Sequence, residues 1–151
     1  MRATEHSSQL LIEKVLLLKS LSIFSDTPET VLAEMAHLMI DIHFHMGEQI
    51  VTEGDIGNCM YIISEGSVNV QKGNQLLMQL GQRDFFGELS LLDTETRSAT
   101  VIATTDCFLF RIDQEPFYDL IESRPEVVKG VIKILCKRIR AINQKLSVFS
   151  G

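Results

Sequence analysis

Phe86-Gly87-Glu88-Leu89-Ser90-Leu91-Leu92-Asp93-Thr94-Glu95-Thr96-Arg97-Ser98-Ala99-Thr100-Val101 is the stretch that decides how this sequence is read. Gly87 lets the backbone approach a ligand closely. The residues after it suit a short helical turn whose first N–H groups point outward without acceptors, a favourable place for an anion. Arg97 brings a planar, permanently charged fork matched to phosphate oxygens. Glu88 is negative and so a poor neighbour for phosphate, but it is a good acceptor for sugar hydroxyls. An anion receptor beside a hydroxyl receptor describes a ribose phosphate. A cyclic phosphate is especially suitable, because its phosphate and free 2′-hydroxyl are held in a fixed relation. Taken alone, Glu88 and Arg97 also admit a blander reading: an ion pair stapling a loop and contributing about 0–1 kcal/mol.

Working outward, seven of the nine glycines fall between Gly47 and Gly87, and all three prolines lie outside that span. Glycine permits tight turns, so the middle reads as short strands joined by turns. Strands are expected at residues 40–45, 49–52, 60–64, 68–71, 75–80, 99–103 and 107–112, with a hairpin turn around Lys72-Gly73-Asn74. Strands so short and evenly spaced suggest a sandwich or a roll.

Helices flank this middle. One is expected near residues 8–19, and another beginning at Pro28 with Val31, Leu32, Met35 and Leu38 on its apolar face, capped by Asp26 or Thr27. After the strands, Asp113 can cap a short helix over 116–121. Ser123-Arg124-Pro125-Glu126 has capping-box spacing and opens a long helix to about Leu146. Val128, Ile132, Leu135, Ile139, Ile142, Leu146 and Phe149 alternate steps of four and three along it. Such a stripe suits packing against the strands, or pairing with a second subunit.

The stretch from Phe86 resembles the phosphate-binding cassette of cyclic-nucleotide-binding domains, the cAMP- and cGMP-binding modules of the bacterial catabolite-activator and protein-kinase-A regulatory-subunit type. That pattern is F-G-E, small or apolar residues, a variable stretch, then P-R-x-A. Gly47-Glu48-Gln49-Ile50, Glu53-Gly54-Asp55 with Gly57, Tyr61-Ile62 and Gly66 match the family's framework, and the similarity runs from about Leu17 to Asn143. The resemblance implies a mainly β fold with flanking helices. In it a double-stranded β-helix, a jelly-roll-like β-roll, carries N-terminal helices and a C-terminal helical lid. One domain would then fill residues 1–151: helices over 1–38, the roll over 39–112 with the cassette at 86–100, and C-terminal helices over 113–147.

The resemblance also implies roles. Glu88 would bind the ribose 2′-hydroxyl and Arg97 the cyclic phosphate. Backbone amides near Gly87, Leu89 and Ala99, with Ser90 and the Ser98 hydroxyl, would complete the phosphate site. Val70 and Leu77 would line the base pocket, with Ile139, Ile142 and Asn143 as lid candidates. The expected ligand is cAMP, with cGMP the alternative; a hydroxyl at Ser98 is compatible with both. Thr96 stands where the family usually has proline, which frees φ before Arg97 and is expected to loosen the loop without removing a ligand-binding atom. Arg83-Asp84 stands where glycine-aspartate is common.

Composition narrows the rest. A net charge of −6 offers no overall field for nucleic acid or anionic membranes, so an anionic ligand must be held by local donors. Cys59, Cys107 and Cys136 lack C-x-x-C spacing and sit in or beside apolar runs. They read as buried thiols in a reducing, cytoplasmic setting. The run from Leu10 to Leu18, broken by Glu13 and Lys14, is too short to cross a membrane. His43-Phe44-His45 places two imidazoles on one side of a strand and superficially resembles a cupin metal motif. Glu48 is too close for that motif and no histidine follows His45, so no metal and no cofactor are expected, and the histidines are read as half-exposed. Asp93 and Glu95 are read as a solvated loop. Lys137, Arg138, Arg140 and Lys145 read as a charged outer helix face. With the chain ending at Gly151 there is no room for the helix-turn-helix domain of the bacterial relatives, so direct DNA binding is not expected. No catalytic constellation is present. The expectation is a sensor, not an enzyme, that regulates something attached to it or pairs through its last helix. The alternatives are a degenerate domain serving as an interaction module and, remotely, a cupin-like metal enzyme.

Overall fold

A computed structural model describes residues 2–150, with side chains described from Leu10 to Leu146. The chain forms two compact units, His37–Asp119 and a helical unit of Met1–Ala36 with Leu120–Gly151.

The first unit is a β-roll. Strands β1 (Ile40–Phe44), β10 (Cys107–Asp113), β4 (Cys59–Glu65) and β7 (Phe85–Phe86) form one antiparallel sheet in that order. Strands β2 (Gln49–Val51), β9 (Thr100–Ala103), β5 (Val68–Lys72) and β6 (Gln75–Leu80) form the other. A two-stranded ladder joins β3 (Ile56–Gly57) to β8 (Glu95–Thr96). Successive residues of a strand point to opposite faces, and the core draws on both sheets. Cys59, Tyr61, Ile63, Phe86, Cys107 and Leu109 come from the first; Ile50, Val68, Val101 and Ala103 come from the second. In β4 the intervening Met60 and Ile62 are also fully buried, which explains an unbroken apolar run where an exposed sheet would alternate. The expected hairpin closes at Gly73, whose φ of +59° fits the first loop position of a type II′ turn.

Helix α3 (Glu88–Leu92) follows β7, and α4 (Gln114–Ser123) follows β10. In the helical unit, α1 (Arg2–Ser20), a 3₁₀ turn at Ser22–Phe24, α2 (Glu29–Ala36) and α5 (Pro125–Ser150) bury Leu18, Leu21, Ile23, Phe24, Leu32, Met35, Val127 and Val131. The Arg124 guanidinium forks onto Glu34, with Nε donating to both carboxylate oxygens at 3.1 and 3.0 Å. That hydrogen bond, with the attraction between the charges, holds the Glu34 carboxyl below its ordinary value. Thr27 Oγ1 is buried without a partner, so the helix cap expected of it is not made. On α5 the heptad-spaced stripe is not the buried face. Ile132, Ile139, Ile142 and Leu146 are all more than half exposed, while Val127 and Val131 are buried. Phe149 lies outside the described side chains. The helix continues unbroken through Gly130.

Candidate functional site

The roll builds a cavity of about 230 Å³ at the start of α3, on the small side for a ligand cleft. The loop residues Gly87, Glu88, Leu89, Ser90, Arg97, Ser98 and Ala99 line it, and Val51, Val70 and Val101 form an aliphatic wall.

Its construction begins at β7. Phe86 pairs with Tyr61 across the ladder and stacks on its ring, centroids 5.2 Å apart. Burial, with the neighbouring Cys59 thiol, pushes the Tyr61 hydroxyl up to about 12, so this floor stays neutral at physiological pH. Gly87 then turns the chain with φ +81° and ψ 17°, the left-handed region that favours glycine. That turn lets Glu88, Leu89 and Ser90 open α3 beside the cavity, and the first N–H groups of a helix have no acceptor within it. The chain returns along β8, where Thr96 pairs with Ile56 and Glu95 with Gly57. Arg97 is then held by its backbone: its N–H donates to Asp55 O at 2.7 Å, and its carbonyl accepts Gly54 N–H at 3.0 Å. The loosening expected from Thr96 therefore meets a segment that the 54–57 turn already pins on both sides.

Arg97 is 8% exposed. Its Nη2 donates to the Cys59 carbonyl at 3.0 Å and to the Cys59 sulfur at 3.2 Å. Two glycines make room for it. A Cβ built on Gly57 would fall 2.3 Å from Arg97 Nε, and one on Gly87 would fall 2.5 Å from Nη1. The guanidinium thus lies in a glycine cradle with one edge on Cys59. Burying a permanent charge is costly unless an anion or several hydrogen bonds compensate it. At the other end of α3, the Ser90 and Leu91 carbonyls each accept a hydrogen bond from Gln114 Nε2 at 3.3 Å, and the Leu92 carbonyl accepts one from the Tyr118 hydroxyl. Both donors belong to α4, so the turn that begins at the cavity ends in the grip of the next helix.

The loop residues named from the sequence, together with Val70, meet in this one cavity. Leu77 does not line it. It lies on β6, the outermost strand, where Val70 pairs with Met78 and Gln71 with Leu76, leaving Leu77 as the extra residue of a bulge, half-exposed. Ile139, Ile142 and Asn143 are exposed on α5 in the helical unit. Among the residues not anticipated, Val51 and Val101 carry the usual signal of alternating strand positions. Glu95, read as solvated loop, is exposed yet also lines the cavity because the β3–β8 ladder turns it inward. Arg83, which occupies the usual glycine position, takes φ +73°, the one positive φ at a non-glycine residue among those described.

Comparison with known proteins places the chain in a family. The family model described as "Cyclic nucleotide-binding domain" matches residues 41–124. A CRP-like cAMP-activated global transcriptional regulator of Mycobacterium tuberculosis is 27% identical over 83% of this chain and 58% of its own length. The potassium/sodium hyperpolarization-activated cyclic nucleotide-gated channel 2 of Mus musculus is 33% identical over 87% of this chain, but only 15% of its own length. The N-terminal domain of a transcriptional regulator from Streptomyces coelicolor superposes with a TM-score of 0.81 at 26% identity, covering 86% of this chain and 94% of that one. This chain therefore spans little more than half of one curated relative and a small part of the other. It belongs to the cyclic nucleotide-binding domain family.

Proposed function

We propose that this chain is a regulatory sensor that binds cAMP in the cavity at α3, with cGMP as the competing ligand. The buried, cradled guanidinium of Arg97 carries this reading: it faces the same small cavity as Glu88. Arg97 and the amides of Gly87, Leu89 and Ala99, with the Ser90 and Ser98 hydroxyls, neutralise the ring-closed phosphate. Glu88 accepts the ribose 2′-hydroxyl, and Val70 contacts the base. The three free cysteines suit a reducing cytoplasm. No catalytic role is proposed for the chain.

Binding is transmitted through α4. A ligand that draws on the N-terminal turn of α3 shifts carbonyls that Gln114 and Tyr118 hold. The C-terminal helices then close over the base, with Leu77 from β6 and Ile139, Ile142 and Asn143 from α5 completing the pocket. This works only if the nucleotide contacts the closed form better than the open one. A coupling of about 1–3 kcal/mol is enough for regulation. The exposed stripe of Ile132, Ile139, Ile142 and Leu146 suits pairing with a second copy. The output belongs to an effector attached in a longer protein or to a partner.

A thermal-shift screen with cAMP, cGMP and c-di-GMP tests the reading, since a ligand selective for the folded state raises Tm. A rise with cAMP or cGMP that saturates supports it. No rise with any of the three leaves a degenerate member of the family acting as an interaction module.

A further inference from the structure

We infer that His43, His45 and Asp106 form a surface site for one divalent transition-metal ion of the zinc class. It is separate from the nucleotide cavity and shares no lining residue with it.

The register of the β1–β10 ladder makes the site. His43 is paired with Phe108 and Phe44 with Cys107, so the next step of the same register sets His45 opposite Asp106. Positions two apart on a strand share a face, as do directly opposed positions. His43, His45, Phe108 and Asp106 therefore form one patch at the end of the ladder. The ring of His43 stacks nearly parallel on Phe108, centroids 4.6 Å apart, and the ring of His45 meets His43 edge-on at 4.6 Å. His45 Nδ1 lies 3.9 Å from Asp106 Oδ1. Ligand atoms from all three residues lie within 4.8 Å of one another.

Zinc–nitrogen and zinc–oxygen bonds of about 2.0–2.2 Å in a tetrahedron separate ligand atoms by about 3.4 Å. The remaining gap is within reach of small side-chain rotations, and all three residues are exposed, so packing does not oppose them. The set is also partly oriented in advance. Phe108 limits the swing of His43, and the Met46 amide donates to Asp106 Oδ1 at 3.1 Å, which fixes the plane of the carboxylate. Two imidazoles and one carboxylate favour zinc, cobalt or nickel over magnesium or calcium, and leave a coordination position for water. Asp106 is the ligand that the sequence alone does not offer, because it lies sixty-one residues from His45 and meets it only through the ladder. A bound ion would clip the end of β1 to the turn before β10.

Tag-free protein is titrated with Zn²⁺ by calorimetry, and separately with Co²⁺ by absorption. The inference expects one ion per chain with micromolar affinity, a Co²⁺ ligand-field spectrum without a thiolate charge-transfer band, and a higher Tm with Zn²⁺ than with EDTA. His45→Gln and Asp106→Asn should each weaken Zn²⁺ binding by roughly tenfold or more. Co²⁺ should shift the ring protons of His43 and His45 in the unmodified chain, which decides the matter should either variant fold poorly. Unchanged affinity in both variants overturns the site. So does a thiolate band, shifts confined to His37, or no saturable binding below millimolar metal.

Discussion

In the proposed function the cavity has a phosphate end and a base end, and the two are built in opposite ways. At the phosphate end, Arg97 is buried, its backbone is bonded on both sides to the 54–55 turn, and its side chain lies over Gly57 and Gly87 against Cys59. At the base end, Val70 is alone among the residues assigned to the base in lining the cavity; Leu77 sits on an outer strand at a bulge, and Ile139 and Ile142 are exposed on α5. An anion receptor of this kind is pre-organised, so little reorganisation opposes phosphate binding. Under the proposed function the base end is completed only by conformational change, and regulation acts there. The proposed sensor divides its labour accordingly, with affinity from the fixed part and signal from the closing one.

The contrast is broken most severely by removing the fixed charge. Arg97→Ala should weaken cAMP binding by about 3 kcal/mol or more, at least a hundredfold in Kd by calorimetry, because the phosphate is left buried without its counter-charge. The floor beneath the cavity supplies the next largest effect, at alkaline pH. Tyr61 loses its proton at about 12 in the folded chain and near 10 when unfolded. A raised folded value gives stability that is complete below pH 10 and lost as pH climbs through 12. Denaturant titrations should therefore show a loss of up to about 2–3 kcal/mol across that window, and Tyr61→Phe should remove most of it.

Gly57→Ala sharpens the contrast further. Its Cβ would overlap the buried Arg97 side chain and not backbone, so cAMP affinity should fall about tenfold as the guanidinium is displaced, with a smaller loss of stability read from Tm. Equal losses of stability and affinity would mean that Gly57 serves the fold and not the site. The smallest effect is expected at Arg83, held at φ +73° in the turn before β7. Arg83→Gly should stabilise the chain by about 0.5–1 kcal/mol in chemical denaturation without altering nucleotide affinity.

Much of this was legible in the sequence, for reasons particular residues make plain. Gly73 beside Asn74, between two apolar runs, fixes the β5–β6 hairpin by turn chemistry alone. Gly87, Glu88 and Arg97 are legible through the resemblance of the stretch from Phe86 to the family's cassette, and the structure brings them to one cavity. The two-residue strands at Ile56–Gly57, Phe85–Phe86 and Glu95–Thr96 were not, since two residues display no alternation. The bulge that leaves Leu77 half-exposed on β6 is not legible, because nothing local announces a shift of register. The long-range contacts share one cause. The contact of Cys59 with Arg97, and that of Asp106 with His45, depend on sheet register between distant segments, which local pattern cannot specify. The stripe on α5 was visible as a pattern, but packing against the strands and subunit pairing both fit its period, and period alone does not choose between them.

The central claim is that the cavity at α3 receives a cyclic nucleotide through Arg97 and Glu88. Calorimetric titration of the unmodified chain with cAMP, and in parallel with 5′-AMP, tests it most directly. The account predicts saturable binding of one cAMP per chain and much weaker binding of the open-chain monophosphate, whose extra charge and freed phosphate do not fit the cradle. Absence of binding by cAMP and cGMP alike, or equal affinity for cAMP and 5′-AMP, would contradict it.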